Sequence, residues 1–315
     1  MPHCRSVFTR AAEAVPPPAW FGVSAVFHYL GPSFAVLLFP AVGVLGVAWF
    51  RIATAALIFA AITRPWVTIR KADTKTRLRL LGMGSCLAVM NTSFYLALDR
   101  LPMSLVAAME FVGTIAVALY GLRTNRNALA LALAVFGVFL LIDVKWATDP
   151  VGLMWSALNA ALFIGYILLG HKAAQGGASR GIEQLGAAMA IAFAILMPIG
   201  LAQAIKAFGA IELVLAGIGI GICSSVIPYV CDQLAMSRLP RASFALLLSL
   251  LPATATVIAG IVLAQIPTYR DIAGIALVMV AVAIHRQSPM GEERKAEKRG
   301  TATGGKSPAP EEYPS

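Results

Sequence analysis

Stretches of apolar residues follow one another along most of this 315-residue chain, and each is about as long as a membrane-spanning helix. Such a helix needs about 20 consecutive, mainly apolar residues to cross the hydrocarbon core of a bilayer. Hydrophobic residues make up 59% of the chain and charged residues only 13%, whereas soluble proteins contain about 45–50% and about 25%. The composition therefore excludes a water-soluble domain as the main body of the protein.

We predict an all-α, polytopic membrane protein with ten transmembrane helices. The predicted helices lie near residues 18–38, 46–63, 79–98, 103–121, 127–145, 151–170, 183–204, 211–236, 242–264 and 270–286. Because this number is even, both termini of the chain are expected on the same side of the membrane.

The basic residues between the apolar stretches predict the orientation of these helices. Of the 25 Lys and Arg residues, nearly all lie in the two tails or in alternate loops of the ten-helix arrangement. The opposite loops contain only Arg100, Lys145, Lys206 and Arg270, while Arg51 lies within a predicted helix. Because cytoplasmic loops carry an excess of Lys and Arg, we predict a multi-pass protein of the cell inner membrane with both termini in the cytoplasm. The net charge of +10 is spread over these loops, so it does not indicate nucleic-acid binding.

The two ends of the chain differ in composition from its apolar body. Residues 1–17 are predicted to form a cytoplasmic N-terminal tail. The apolar stretch that follows is too long for a cleavable signal peptide and lacks a small-residue cleavage site. Residues 287–315 are rich in Glu, Lys, Gly, Pro and Ser, which cannot bury a core, so we expect a disordered cytoplasmic tail.

The apolar body contains a short internal repeat. Leu96–Pro102 reads LALDRLP and Leu234–Pro240 reads LAMSRLP. The first copy joins predicted helices three and four and the second joins helices eight and nine, so we infer two five-helix repeats at 18–145 and 146–286. An odd number of helices inverts the second repeat, a plan that recurs in secondary transporters with a binding site near mid-membrane. The alternative is a tight turn that arose twice by chance.

Carboxylates inside predicted helices are the strongest candidates for a functional site, because a charge at the centre of a membrane helix costs about 2.5–3.5 kcal/mol on insertion scales. Glu110 lies well inside the fourth predicted helix. It can exchange a proton or attract an ammonium group; alternatively, Arg51 neutralises it and the pair serves packing alone. Asp232 follows Pro228, which can kink its helix, and either lines a polar cavity or lies hydrated near the cytoplasmic end.

The remaining polar groups in the apolar stretches give weaker indications. Asn91 and Asn159 either hydrogen-bond between helices or contact a ligand. His28 has no second His at ligand spacing, and the four Cys form no CxxC pair. Gly217–Gly221 lacks the Lys-Ser/Thr of a phosphate-binding loop. We therefore expect no metal, no cofactor and no ATP-driven mechanism.

Four motifs together resemble a known family of transporters. They are Phe39-Pro40 with Arg51 in the next predicted helix, Met90–Tyr95 (MNTSFY), Ala108–Gly113 (AMEFVG), and Pro228–Asp232 (PYVCD) followed by Arg238-Leu239-Pro240. Over roughly residues 20–286 the chain resembles the EamA branch of the drug/metabolite transporter superfamily, and within it the threonine/homoserine exporter type. The resemblance implies ten helices in two inverted repeats, cytoplasmic termini, a central cavity and export of amino acids or related metabolites.

These observations lead to one functional hypothesis and two alternatives. We expect a secondary transporter that exports small amino acids or similar zwitterions by proton-coupled alternating access, as a monomer or a homodimer in the lipid bilayer. The expected substrate-binding or proton-binding residues are Glu110, Arg51, Asn91, Tyr95 and Asp232. The first alternative is a multidrug or aromatic-cation efflux transporter. The second is a membrane-embedded enzyme, against which the short loops contain no Asp-rich motif, His-Asp pair or Ser-His constellation.

Overall fold

The computed structural model of the chain describes residues 15–121, 124–141, 149–174, 177–238, 247 and 250–284, and every regular element in these ranges is helical. The helices are α1 (Pro17–Val42), α2 (Val44–Thr63), α3 (Pro65–Lys71), α4 (Thr74–Leu98), α5 (Met103–Gly121), α6 (Asn125–Leu141), α7 (Pro150–Ala174), α8 (Ala178–Ala204), α9 (Ile211–Gly221), α10 (Ile227–Met236), α11 (Leu251–Leu263) and α12 (Tyr269–Ile284). A 3-10 turn at Ile205–Gly209 follows α8, and a π-helical turn at Ile222–Val226 joins α9 to α10.

Many of these helices are long and apolar enough to cross a membrane. Within the described ranges, the segments that meet both criteria are Pro18–Val42, Val44–Thr63, Thr74–Leu98, Pro150–Gly170, Ser179–Gly209 and Ile211–Ala235. Shorter apolar helices occupy Met103–Val112, Asn125–Leu141 and Leu251–Leu263. The predicted all-helical, multi-pass membrane class is therefore confirmed.

Some sequence predictions concern residues outside the described ranges. These are the two tails at 1–14 and 285–315, and the Leu-Pro pair at 239–240 that completes the second copy of the short repeat.

The junction between α1 and α2 depends on a residue from another part of the chain. Gly43 joins the two helices at a φ of 87°, a left-handed conformation that glycine adopts without a steric penalty. No side chain of α2 caps its own first turn. Instead, the backbone N–H groups of Leu45 and Gly46 donate to Oε1 of Gln203 on α8, at 3.0 and 3.2 Å. The start of α2 is therefore attached to the end of α8.

A short helix occupies a segment that the sequence analysis assigned to a loop. Helix α3 is followed by Arg77, which donates to the carbonyl oxygens of Ile69 at 3.1 Å and Arg70 at 2.9 Å. These carbonyls belong to the last turn of α3, where an isolated helix has no internal donors. The segment was missed because it is too short and too basic to give an apolar pattern.

The second half of the chain packs along the first through several long helix pairs. Helix α8 lies against α2, α7 against α4, and α12 against α6. At the α6–α12 crossing, a Cβ atom on Gly137 would lie 2.7 Å from the carbonyl oxygen of Gly274, and a Cβ atom on Gly274 would lie 2.7 Å from that of Gly137. Glycine at both positions lets the two backbones touch, as small residues do in membrane helix packing.

Candidate functional site

A small cavity lies where helices from both halves of the chain meet. Its walls are formed by α1, α2, α4, α5, α7 and α10, and water-sized spheres can be centred in about 10 Å³ of it, which is room for about one water. The lining residues are His28, Arg51, Met90, Asn91, Phe94, Glu110, Asn159, Phe163 and Tyr229. Arg51 and Glu110 give this cavity one group of each charge, surrounded by aromatic and amide side chains.

Glu110 is buried, with 3% of its surface exposed. Asn159 on α7 donates from Nδ2 to Oε1 of Glu110 at 2.6 Å. The second carboxylate oxygen, Oε2, has no hydrogen-bond partner among the described residues. Glu110 is thus held by one oxygen, and the other oxygen is available to a ligand.

Arg51 is equally buried, and its guanidinium is held by the π-helical turn of the other half. Its Nε donates to Oγ of Ser225 and its Nη2 to the carbonyl of Ser224, both at 2.9 Å. Ser224 lies four residues before Pro228, which has no N–H to donate to that carbonyl. Nη1 of Arg51 has no hydrogen-bond partner among the described residues. Arg51 therefore satisfies the carbonyl that Pro228 leaves free and retains one unused nitrogen.

Arg51 and Glu110 do not form an ion pair. Among the described residues, a separation below 4.0 Å between opposite charges occurs at Arg100 and Asp149 and not at this cavity. The alternative in which Arg51 directly neutralises Glu110 is therefore not the arrangement seen here. Both charges are stabilised by neutral partners, which leaves each of them able to interact with an added group.

Two aromatic rings pack against the guanidinium of Arg51. Its Cζ atom lies 5.9 Å from the ring centre of Phe94 and 5.2 Å from that of Tyr95. Distances below about 6 Å allow a cation–π attraction. Tyr95 does not line the cavity, although it was a predicted site residue; it is fully buried behind Arg51 and fixes the position of the guanidinium.

Asn91 connects the two halves across the cavity. Its Nδ2 donates to the carbonyl of Leu87 in its own helix at 2.7 Å, and its Oδ1 accepts a hydrogen bond from the hydroxyl of Tyr229 at 3.3 Å. Asn91 and Tyr229 are both buried. The predicted hydrogen bonding between helices is present, and the same pair also forms part of the cavity wall.

Asp232 does not line the cavity and forms its polar contacts with α1. The hydroxyl of Ser24 on α1 lies 2.5 Å from Oδ1 of Asp232 and 3.2 Å from the carbonyl of Pro228. Asp232 is only 8% exposed, so the hydrated alternative is not seen. Its neighbour Gln233 is fully buried, and neither polar atom of its side chain has a partner among the described residues.

The structure thus brings together Glu110, Arg51 and Asn91, places Tyr95 behind Arg51, and separates Asp232 from them. His28, Phe163 and Tyr229 also line the cavity. They could not be predicted, because a His without a second ligand and an aromatic ring in an apolar helix give no distinctive signal. Within the described part of the chain, no cluster of three His, Cys, Asp or Glu residues could hold a metal ion.

Comparisons with known proteins find relatives over most of the chain. Residues 150–286 match the EamA-like transporter family. The threonine/homoserine exporters RhtA of Salmonella typhimurium (strain SL1344) and of Escherichia coli (strain K12) are each 34% identical over 254 residues, which is 80% of this chain and 84% of the relative. A solved structure described only as "Crystal structure of protein" has a similar fold, with a TM-score of 0.55 and 15% identity over 84% of this chain and 95% of that chain.

Proposed function

This chain belongs to the EamA-like transporter family, whose members are transporters rather than enzymes, and we propose that it exports threonine, homoserine or similar small amino acids across the inner membrane. The relatives that are 34% identical are named as threonine/homoserine exporters. The observation that carries the proposal is the pair of buried, oppositely charged groups on one cavity, each with one unpaired polar atom. A zwitterion matches this pair.

The two charged ends of an amino acid would bind at opposite sides of the cavity. Nη1 of Arg51 would donate to the substrate carboxylate, and Oε2 of Glu110 would accept from the substrate ammonium group. Hydrogen bonds between charged partners are about twice as strong as neutral ones, and here both protein groups are held in position by neighbours. The Asn91–Tyr229 pair would provide hydrogen-bonding partners for a side-chain hydroxyl, which threonine and homoserine both carry.

Coupling to protons would follow from competition for one carboxylate. When Glu110 is ionised it binds the ammonium group; when it takes up a proton it has no charge to hold that group. Proton uptake from the outer side would thus release the substrate there. Asp232, held by Ser24 and followed by the unpaired Gln233, lies one turn beyond Tyr229 and would carry protons between this site and the cytoplasmic end.

The packing of the helices supports two related five-helix halves at 18–145 and 146–286. A two-fold axis that exchanges the halves would turn each helix pair into a corresponding pair. The α4–α7 contact would then correspond to α10–α1, the α5–α7 contact to α11–α1, and the α4–α8 contact to α9–α2. All six pairs are in contact. The α2–α8 and α6–α12 pairs each map onto themselves. This pattern is consistent with ten membrane helices in inverted repeats, cytoplasmic termini and alternating access around the central cavity.

Efflux of aromatic cations is the second candidate, since Phe94, Phe163 and Tyr229 give the cavity aromatic walls. Arg51 favours the zwitterion, because a substrate that carries only positive charge would be repelled by the buried guanidinium and has no carboxylate to pair with it.

Transport into inverted membrane vesicles tests the proposal, since uptake into them corresponds to export from the cell. With an imposed proton gradient, labelled threonine and homoserine should accumulate in vesicles that contain the protein, and an uncoupler should abolish the accumulation. Vesicles without the protein are the control. Accumulation of a labelled aromatic cation, with none of either amino acid, would replace the proposal by the second candidate.

A further inference from the structure

A second pocket lies at the ends of α4 and α7 that we propose face the cytoplasm, far along both helices from the central cavity. Arg79 on α4 and Lys172 on α7 provide its charge, Thr76 and Gln184 are polar neighbours, and Leu80 and Leu169 belong to its apolar wall. Water-sized spheres can be centred in about 40 Å³ of it, and about 10–15 Å³ is enough for one water. The pocket therefore has room for a ligand group.

Neither cation of this pocket is used by the protein itself. Arg79 and Lys172 make no hydrogen bond and no ion pair with any residue that the structure describes. Arg77, two residues from Arg79, differs in this respect, because it donates to the last carbonyls of α3. Both side chains are exposed and line the same pocket, so an anion that reaches this surface can contact the two positive charges together.

The surroundings of the pocket belong to the membrane boundary. Leu78 and Leu81 on α4 are 72% and 55% exposed, and Leu168 on α7 is 58% exposed. Apolar side chains this exposed on membrane helices face lipid chains. Trp66 on the neighbouring α3 is 55% exposed, and Trp is enriched at the level of lipid headgroups. The two cations thus lie beside a lipid-facing surface, where the available anion is a headgroup.

We propose that Arg79 and Lys172 bind the phosphate group of an anionic phospholipid. Basic pockets between membrane helices on the cytoplasmic side are suited to such headgroups. Because α4 belongs to the first half and α7 and α8 to the second, the bound lipid holds the two halves together at this end. The proposal does not depend on which solute the central cavity carries.

Native mass spectrometry and thermal melting of the purified full-length protein in a neutral detergent test this proposal. Phosphatidylglycerol should remain bound to the wild-type protein and raise its Tm, whereas phosphatidylcholine should do neither. The variant R79Q/K172Q should lose both effects. K71Q/K75Q removes the same charge from exposed residues that do not line the pocket, and it should keep both effects. R79K/K172R keeps the two charges and should therefore keep the bound lipid. This result would show that the loss in R79Q/K172Q comes from the missing charge and not from substitution as such.

Three results would overturn the assignment. If R79Q/K172Q and K71Q/K75Q lose phosphatidylglycerol equally, the attraction is that of the whole basic face. If phosphatidylcholine binds and stabilises as well as phosphatidylglycerol, the anionic charge of the lipid is irrelevant. If inorganic phosphate raises the Tm to the same extent in the absence of lipid, the ligand is a free anion from solution.

Discussion

Arg51 donates from Nη2 to the carbonyl oxygen of Ser224 at 2.9 Å, and Pro228, four residues further along, has no N–H to donate to that carbonyl. A side chain of the first half thus donates to a backbone carbonyl of the second half to which Pro228 cannot donate. The same side chain supplies a free nitrogen to the central cavity. Under the proposed function, one guanidinium therefore contributes both to stability and to substrate binding.

Arg51→Lys should reduce both properties while conserving the charge. A lysine ammonium cannot reproduce the fork that reaches Ser224 and Ser225 together, and it leaves a buried polar group without its partner. The expected loss is about 1–3 kcal/mol of unfolding free energy, with export below a tenth of wild type. Thermal melting and vesicle transport measure the two effects. Arg180→Lys, at an exposed position, should change neither; an active and stable Arg51→Lys would contradict the dual role.

Pro228→Ala should impair export without unfolding the protein. Alanine restores an N–H for the Ser224 carbonyl, so the turn regularises and Arg51 loses an acceptor. Pro198→Ala is the matched control, since Pro198 also lies inside a long helix, α8, but is exposed and has no recorded contact with Arg51. We expect at least a tenfold lower export rate for Pro228→Ala and normal export for Pro198→Ala. Equal export rates in both variants would contradict a role of Pro228 in export.

Glu110→Gln should abolish amino-acid export while the protein still reaches the membrane. Glutamine retains a carbonyl oxygen for Asn159 but has no negative charge for an ammonium group or a transferable proton. The readouts are vesicle transport and the amount of protein in the membrane. Glu212→Gln removes an exposed carboxylate from the first turn of α9 and should transport normally. Normal export by Glu110→Gln would reduce Glu110 to a packing residue.

The Ser24–Asp232 hydrogen bond should appear as a coupling energy. Ser24→Ala removes the donor and Asp232→Asn removes the charge of the acceptor, so the two losses overlap. A double-mutant cycle by chemical unfolding should give about 0.5–3 kcal/mol of interaction energy, the usual range for residues in contact. Ser24→Ala combined with Glu212→Gln should be additive. Additivity in the first cycle as well would mean that the contact contributes nothing.

Asp149 makes the beginning of α7 sensitive to acid. The backbone N–H of Gly152 and, more weakly, the Arg100 guanidinium hold the pKa of the Asp149 carboxyl below its usual range. A carboxyl with a lowered pKa stabilises the folded state above its unfolded pKa, and the effect is lost as the pH falls through the folded value. Wild type should therefore melt above Asp149→Asn at pH 7, and the two should converge in acid. Asp99→Asn, exposed between α4 and α5, is the control, and a Tm difference between wild type and Asp149→Asn that widens in acid would refute the assignment.

Much of the helical arrangement could be predicted because the membrane leaves few alternatives. An apolar stretch at 46–63 corresponds to the helix Val44–Thr63, and one at 103–121 to Met103–Gly121. The lone charges in these stretches, Arg51 and Glu110, were also recognised, since a charge in an apolar helix must serve a purpose that offsets its cost. Both line the same cavity.

The partners of these charges could not be predicted from one sequence. A pairing of Arg51 with Glu110 was the obvious alternative, yet Arg51 is held by Ser224 and Ser225, and Glu110 by Asn159. Each contact joins residues that are far apart in the chain, so no local pattern reveals it. Asp232 was grouped with the others as a carboxylate close to Pro228 in a motif of the family, and its contact with Ser24 could not be predicted either.

The crossing of α6 and α12 tolerates almost no substitution at its two glycines. Any side chain at Gly137 or at Gly274 would force the opposing backbone away, and a second change cannot compensate because the obstacle is a peptide group and not a side chain. If the halves descend from one duplicated ancestor, the two copies contact each other at this crossing through the same residue type, glycine. A single substitution in either copy would then disrupt the contact.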